Sequence, residues 1–118
     1  MNTQKFEKER CMKIKGAGKD TPMEMDGGLT AKIPYRFDLI PPFAMIAIAE
    51  VMSEGLKNHE KNGWKKVPEE KHLNNALAHL LFYMAGDRQD DHLEHALCRI
   101  AFLVDIKREK ECQKNGEQ

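Results

Sequence analysis

The sequence is poor in aromatic residues, which make up 7% of its 118 positions, and it has no net charge at neutral pH. The first scarcity calls for an aliphatic core. The second excludes a protein that holds nucleic acid in general through a strong positive field. Only three cysteines are present, Cys11, Cys98 and Cys112, and their spacing offers no thiolate zinc set. Reduced thiols are expected, with Cys98 a small apolar filler on a helix, and with them a cytoplasmic setting. No apolar run approaches the ~18 residues of a membrane span, and no secretory leader pattern is present. A phosphate-cradling glycine loop, a dinucleotide fingerprint and a nucleophile elbow are also missing.

What the chain does contain is one small domain's worth of helical pattern. Residues 1–25 read as a charged, partly irregular segment, 26–111 as a helical domain and 112–118 as a charged tail. Gly16, Gly18, Pro22, Gly27-Gly28, Pro34 and Pro41-Pro42 exclude a long regular element before residue 42. The apolar residues among them, Ile33, Tyr35, Phe37, Leu39 and Ile40, are expected to lie extended against the helices. The first helix should begin beside Pro42, where proline is tolerated, and run through a nearly all-apolar stretch broken by Glu50. Asn62-Gly63 marks a turn. Pro68 with Glu69 and Glu70 starts a second helix that Gly86 stops after Met84; its stripe is Leu73, Ala76, Leu77, Leu80, Leu81 and Met84. Asp91-x-x-Glu94 has the form of a capping box and opens a third, with a stripe of Leu93, Ala96, Leu97, Ile100 and Val104. From Lys107 the charged tail should fray. The fold class is all-α, a three-to-four-helix bundle with an irregular N-terminal segment. Because two neighbours cannot cover an all-round apolar first helix, a homo-oligomer is expected.

Several polar residues sit where chemistry is possible. At about 100° per residue, Asp91, His92, His95 and Arg99 share one arc of the third helix, opposite its apolar stripe. His72, Asn75, His79, Phe82 and Tyr83 form a comparable arc on the second, with His72 expected at the surface. Glu50, Glu54 and Lys57 share a face of the first. Glu50 should be buried and paired, because a lone carboxylate in an apolar run is costly. Asp91 also reads as an N-cap, Glu54 and Lys57 as an ordinary surface pair, and Trp64 either as a core plug or as a base-stacking platform beside Lys65 and Lys66. Helix-borne carboxylates suggest hard cations, Mg²⁺ or Mn²⁺; the histidines leave Zn²⁺ and Fe²⁺ open.

Gly27-Gly28, KIPYRFDLIPP (32–42), Glu50-Val51 with Gly55, Trp64-Lys65, NALAHLLFYMAGD (75–87) and DHLEHALCRIAFL (91–103) follow one another in an order that resembles a phage and prophage family. It is the dATP/dGTP diphosphohydrolase N-terminal domain family. The matching positions include Arg36, Asp38, Pro41, Gly55, Trp64, His79, Gly86, Asp91, His92 and His95. The chain departs from the pattern at Gly63, Ala78 and Arg99, where the family often has Asn, Arg and Asn. The resemblance implies an oligomeric all-α protein akin to MazG-like pyrophosphohydrolases, which hold Mg²⁺ on helix carboxylates.

On that basis the first expectation is a metal-dependent hydrolase of purine deoxynucleoside triphosphates. Glu50, Glu54, Asp91 and His92 would hold Mg²⁺ or Mn²⁺, and His79 or His95 would take a proton from water. Arg36, Lys57, Lys65 and Arg99 would meet phosphate, while Trp64 or Phe82 stacks on the base. The second is a non-catalytic protein that sequesters a nucleotide or a cyclic nucleotide signal, as an anti-defence phage protein would. Arg99 in place of an amide favours it, since a guanidinium grips phosphate but does not coordinate metal. The third is a structural helical module. No membrane partner and no general nucleic-acid partner is expected.

Overall fold

The computed structural model describes residues 14–116. They fall into two units: Pro41–Arg108, and the residues up to Ile40 together with those from Glu109 on.

In the second of these, the sequence Asp26-Gly27-Gly28 closes a small hairpin. Strand β1 (Met23–Met25) pairs antiparallel with β2 (Leu29–Ala31), Met25 opposite Leu29. Gly27 has φ +73°, a conformation that side chains resist, and Asp26 N–H donates to the Gly28 carbonyl at 3.0 Å. The breaker-rich segment therefore carries two strands that were not expected, each only three residues long. Phe37–Leu39 forms a 3₁₀ turn beside an Arg36–Asp38 ion pair. Ile33, Phe37 and Leu39 are exposed. Cys112 is disulfide-bonded, which corrects the expectation of reduced thiols; Cys98 is a free, buried cysteine.

The helical unit is built as its punctuation indicates. Helix α1 (Pro42–Gly55) starts on Pro42, whose missing N–H costs nothing in a first turn. Asn62, at φ +63°, reverses the chain into a 3₁₀ turn over Gly63–Lys66. Helix α2 (Glu69–Met84) follows Pro68, with Glu69 and Glu70 at its positive end. Helix α3 runs from His92 to Gly116 without the fraying expected from Lys107. Lys, Arg, Glu and Gln dominate its last turns and are good helix formers, and no breaker occurs before Gly116. Among the described residues no helix is long and apolar enough to cross a membrane.

Helices α2 and α3 meet through their polar arcs rather than their leucine stripes. On α2 the inward positions are His72, Ala76 and His79; on α3 they are His92, Ala96 and Arg99. Ala76 and Ala96 are nearly inaccessible, and such small side chains let two helices approach closely. The stripes point away. Leu73, Leu77, Leu81 and Met84 of α2 are exposed, as are Leu93, Ile100 and Val104 of α3. α1 buries no residue at all, although Cys98 Sγ of α3 reaches the Ile48 carbonyl at 4.0 Å. Burial within the chain is therefore inverted: His72 has 0% exposure while most leucines are open. Glu50 shares the fate of its helix. It is exposed, not buried as expected, because among the described residues of the helical unit nothing covers that face.

Candidate functional site

The end of α2 and the start of α3 bring the histidines together. Gly86, at φ +97°, terminates α2 by donating its N–H to the Tyr83 carbonyl, while Asp87 N–H donates to Phe82. These two bonds are a Schellman motif, which needs a left-handed residue where Gly86 stands. The turn places Asp87 over the N-terminus of α3. Its carboxylate accepts from Gln89 Nε2 at 2.9 Å and from His92 Nε2 at 2.5 Å. That pairing with His92 holds Asp87 below the usual carboxylate range.

His92 is 6% exposed and uses both ring nitrogens: Nε2 on Asp87, and Nδ1 against His79 Nδ1 at 2.9 Å. His79 also lies beside the His95 ring, with centroids 5.2 Å apart. His95 Nε2 faces Asp90 Oδ1 at 3.4 Å, and Asp90 is fixed by accepting Asp91 N–H at 2.9 Å. One potential ligand atom from each of His79, Asp90 and His95 lies within 4.8 Å of the others. Burial pushes the His79 imidazole below its ordinary pKa; His95 and His92 add to that shift and Asp90 opposes it. A neutral imidazole offers a lone pair to a cation or a proton.

A second network lies further along the same two helices. His72 Nε2–H donates to the Trp64 carbonyl at 2.8 Å, and Arg99 donates to His72 Nδ1 at 2.9 Å. His72 therefore sits at the centre of the helix contact, not at the surface as expected. Trp64 stacks on Phe102 with ring centroids 4.5 Å apart, so one indole face is already covered, and Lys65 lies over the indole at 5.5 Å. The plug role weighed for Trp64 fits that packing.

The structure thus gathers His79, His92 and His95, with Phe82 edge-on to His92 at 5.5 Å. It brings in two carboxylates that the sequence reading missed, Asp87 and Asp90. Asp91, which that reading preferred, ends in the N-cap position, its carbonyl receiving the His95 N–H at 3.0 Å. The run Asp87-x-x-Asp90-Asp91 was visible, but the loop geometry decides which acid turns toward the histidines. Glu54 pairs with Lys57 at 3.0 Å on an exposed face, and Arg36 pairs with Asp38. Among the described residues, neither Glu50 nor Glu54 joins the group of His79, Asp90 and His95.

A short helical domain with an imidazole and carboxylate cluster between two helices is the class that this geometry defines. The chain belongs to the family described as dATP/dGTP diphosphohydrolase, N-terminal, which matches residues 26–115. No curated protein and no solved structure matches it.

Proposed function

We propose that this chain binds a purine deoxynucleoside triphosphate and hydrolyses one of its phosphoanhydride bonds with a divalent cation held by His79, Asp90 and His95. The observation that carries the reading is the convergence of these three side chains, from α2, the connecting loop and α3. Family membership supplies the substrate class. Two imidazoles and a carboxylate suit a divalent ion. When bound, the cation would supply charge neutralisation at the phosphates and acidify water. Asp91, exposed beside the cluster, is the nearest acid in sequence to accept a proton, and Phe82 offers an exposed ring to the base.

The outward leucine faces of α2 and α3 and the uncovered α1 support assembly into a homo-oligomer, since a second copy supplies the burial that one chain lacks. The second reading is capture without hydrolysis. It is favoured by Glu54, which is tied to Lys57 instead of standing free for a second cation. Chromatography of dATP and dGTP incubated with protein, with and without divalent ion, separates the two. Metal-dependent monophosphate formation, abolished by His95→Ala, supports the enzyme. Bound but intact nucleotide supports capture, and neither binding nor product refutes both.

A further inference from the structure

We propose that Arg88 is the phosphate-gripping residue beside the histidine cluster, its guanidinium held in advance so that Nε–H and Nη2–H meet two oxygens of one phosphate of the triphosphate. The proposal rests on the nucleotide reading above and adds to it a residue that the sequence did not single out.

Arginine carries five N–H donors in a planar fork. In Arg88 those on Nη1 are engaged, donating to the Tyr83 carbonyl at 2.9 Å and to the Asp87 carbonyl at 2.8 Å. The face of the guanidinium lies over the Tyr83 ring, its central carbon 3.9 Å from the ring centroid. These contacts fix the plane of the group. They leave its other edge, Nε–H with Nη2–H, without a partner among the described residues. Such an edge pairs bidentately with oxyanions. Arg36 uses the same two nitrogens in this chain, donating from Nε and Nη2 to the two Asp38 carboxylate oxygens at 2.9 and 2.8 Å.

The neighbouring acids leave the edge of Arg88 open. Asp87 turns its carboxylate to His92 and Gln89, and Asp90 turns to the Asp91 N–H and to His95. Capping the last carbonyls of α2 needs only a positive side chain, which lysine also supplies. A stacked, planar group with an open fork is a property of arginine. Holding so long a side chain still at an exposed position costs rotamer entropy, so an oxyanion that binds there finds that cost already met.

The position suits a ligand that spans from the cluster. Arg88 lies in the loop between Asp87 and Asp90, and it stacks on Tyr83, four residues after His79 on α2. That spacing makes neighbours on one helix face, about 5–6 Å apart at Cβ. A triphosphate carries more negative charge than one divalent ion neutralises, which calls for a fixed cationic group nearby. Other candidates are engaged: Arg36 with Asp38, Lys57 with Glu54, and Arg99 with His72.

Calorimetry on the full chain with Zn²⁺ present tests the proposal, with a non-hydrolysable dGTP analogue and inorganic triphosphate as probes. Arg88→Ala should weaken both by about 10–100-fold, the range for hydrogen bonds to a charged group. An equal loss for inorganic triphosphate assigns the contact to phosphate and not to the base. Arg88→Lys keeps the charge and the cap of α2 but not the fork, and should recover less than half of the lost binding free energy. In nitrogen NMR of the wild type, the Arg88 Nε–H signal should shift and exchange more slowly with water as inorganic triphosphate saturates. A merely structural role would lower Tm in Arg88→Ala without moving that signal. Unchanged affinity in Arg88→Ala, full recovery in Arg88→Lys or an unmoved Nε–H signal, with the wild type still binding, overturns this proposal alone. A wild type that binds neither probe refutes the proposed function and this proposal with it.

Discussion

Replacing His72 tests how the two long helices are held together. His72 has no accessible surface, packs against Phe102 at 5.4 Å, donates to the Trp64 carbonyl and accepts from Arg99. His72→Ala opens a cavity and leaves the carbonyl and the guanidinium without that partner. Truncation of a buried ring and loss of a buried acceptor's donor together cost about 3–4 kcal/mol. His72→Phe keeps most of the volume and isolates the polar part, about 1–3 kcal/mol. Arg99→Ala should cost about 1–2 kcal/mol alone and less in the His72→Ala background, giving a coupling of about 1 kcal/mol. At about 4 °C per kcal/mol for a chain of this size, His72→Ala lowers Tm by roughly 12–16 °C. Thermal and urea melts at one fixed protein concentration measure this, because assembly would make stability depend on concentration. A His72→Ala variant within about 0.5 kcal/mol of wild type would refute the reasoning, since that is how a surface residue behaves. Strict additivity with Arg99→Ala would refute the pairing.

Gly86→Ala should destabilise by about 1–2 kcal/mol in a melt, because φ +97° strains any side chain although nothing lies within 4 Å of the added carbon. Light scattering on a sizing column should give a multiple of the chain mass at micromolar concentration; a monomer would remove the reading of the outward leucines. Stability should fall as pH drops below about 6.5. His79 has a lowered folded pKa, so the unfolded chain binds more protons between that value and 6.5. A flatter Tm profile in His79→Gln checks the assignment. Asp87 acts in a separate window, its contribution present above about 3.8 and lost as pH falls through its lower folded value.

Helix placement was legible because punctuation is local. Pro42, Pro68, Gly86 and the turn at Asn62-Gly63 fix the starts and stops of α1, α2 and α3, and each acts through its own backbone. Which face turns inward was not legible. Periodicity places Leu73, Leu77 and Met84 on one side of α2 but cannot say whether this chain or another covers them. The rule that apolar faces meet put His72 at the surface, whereas His72 and Arg99 satisfy one another at the contact. Glu50 was misplaced for the same reason. His79, His92 and His95 were singled out by their arcs. Asp87 and Asp90 were not, because their orientation depends on a loop whose geometry one left-handed glycine sets.

The account's central claim is that a purine nucleotide binds at the histidine cluster. Histidine side-chain NMR during titration with a non-hydrolysable dGTP analogue, with Zn²⁺ present, tests it most directly. The resonances of His79, His92 and His95 should move and saturate together, while buried His72 and exposed His59 stay in place. Saturable binding by calorimetry with those three resonances unmoved would put the nucleotide elsewhere and contradict the claim.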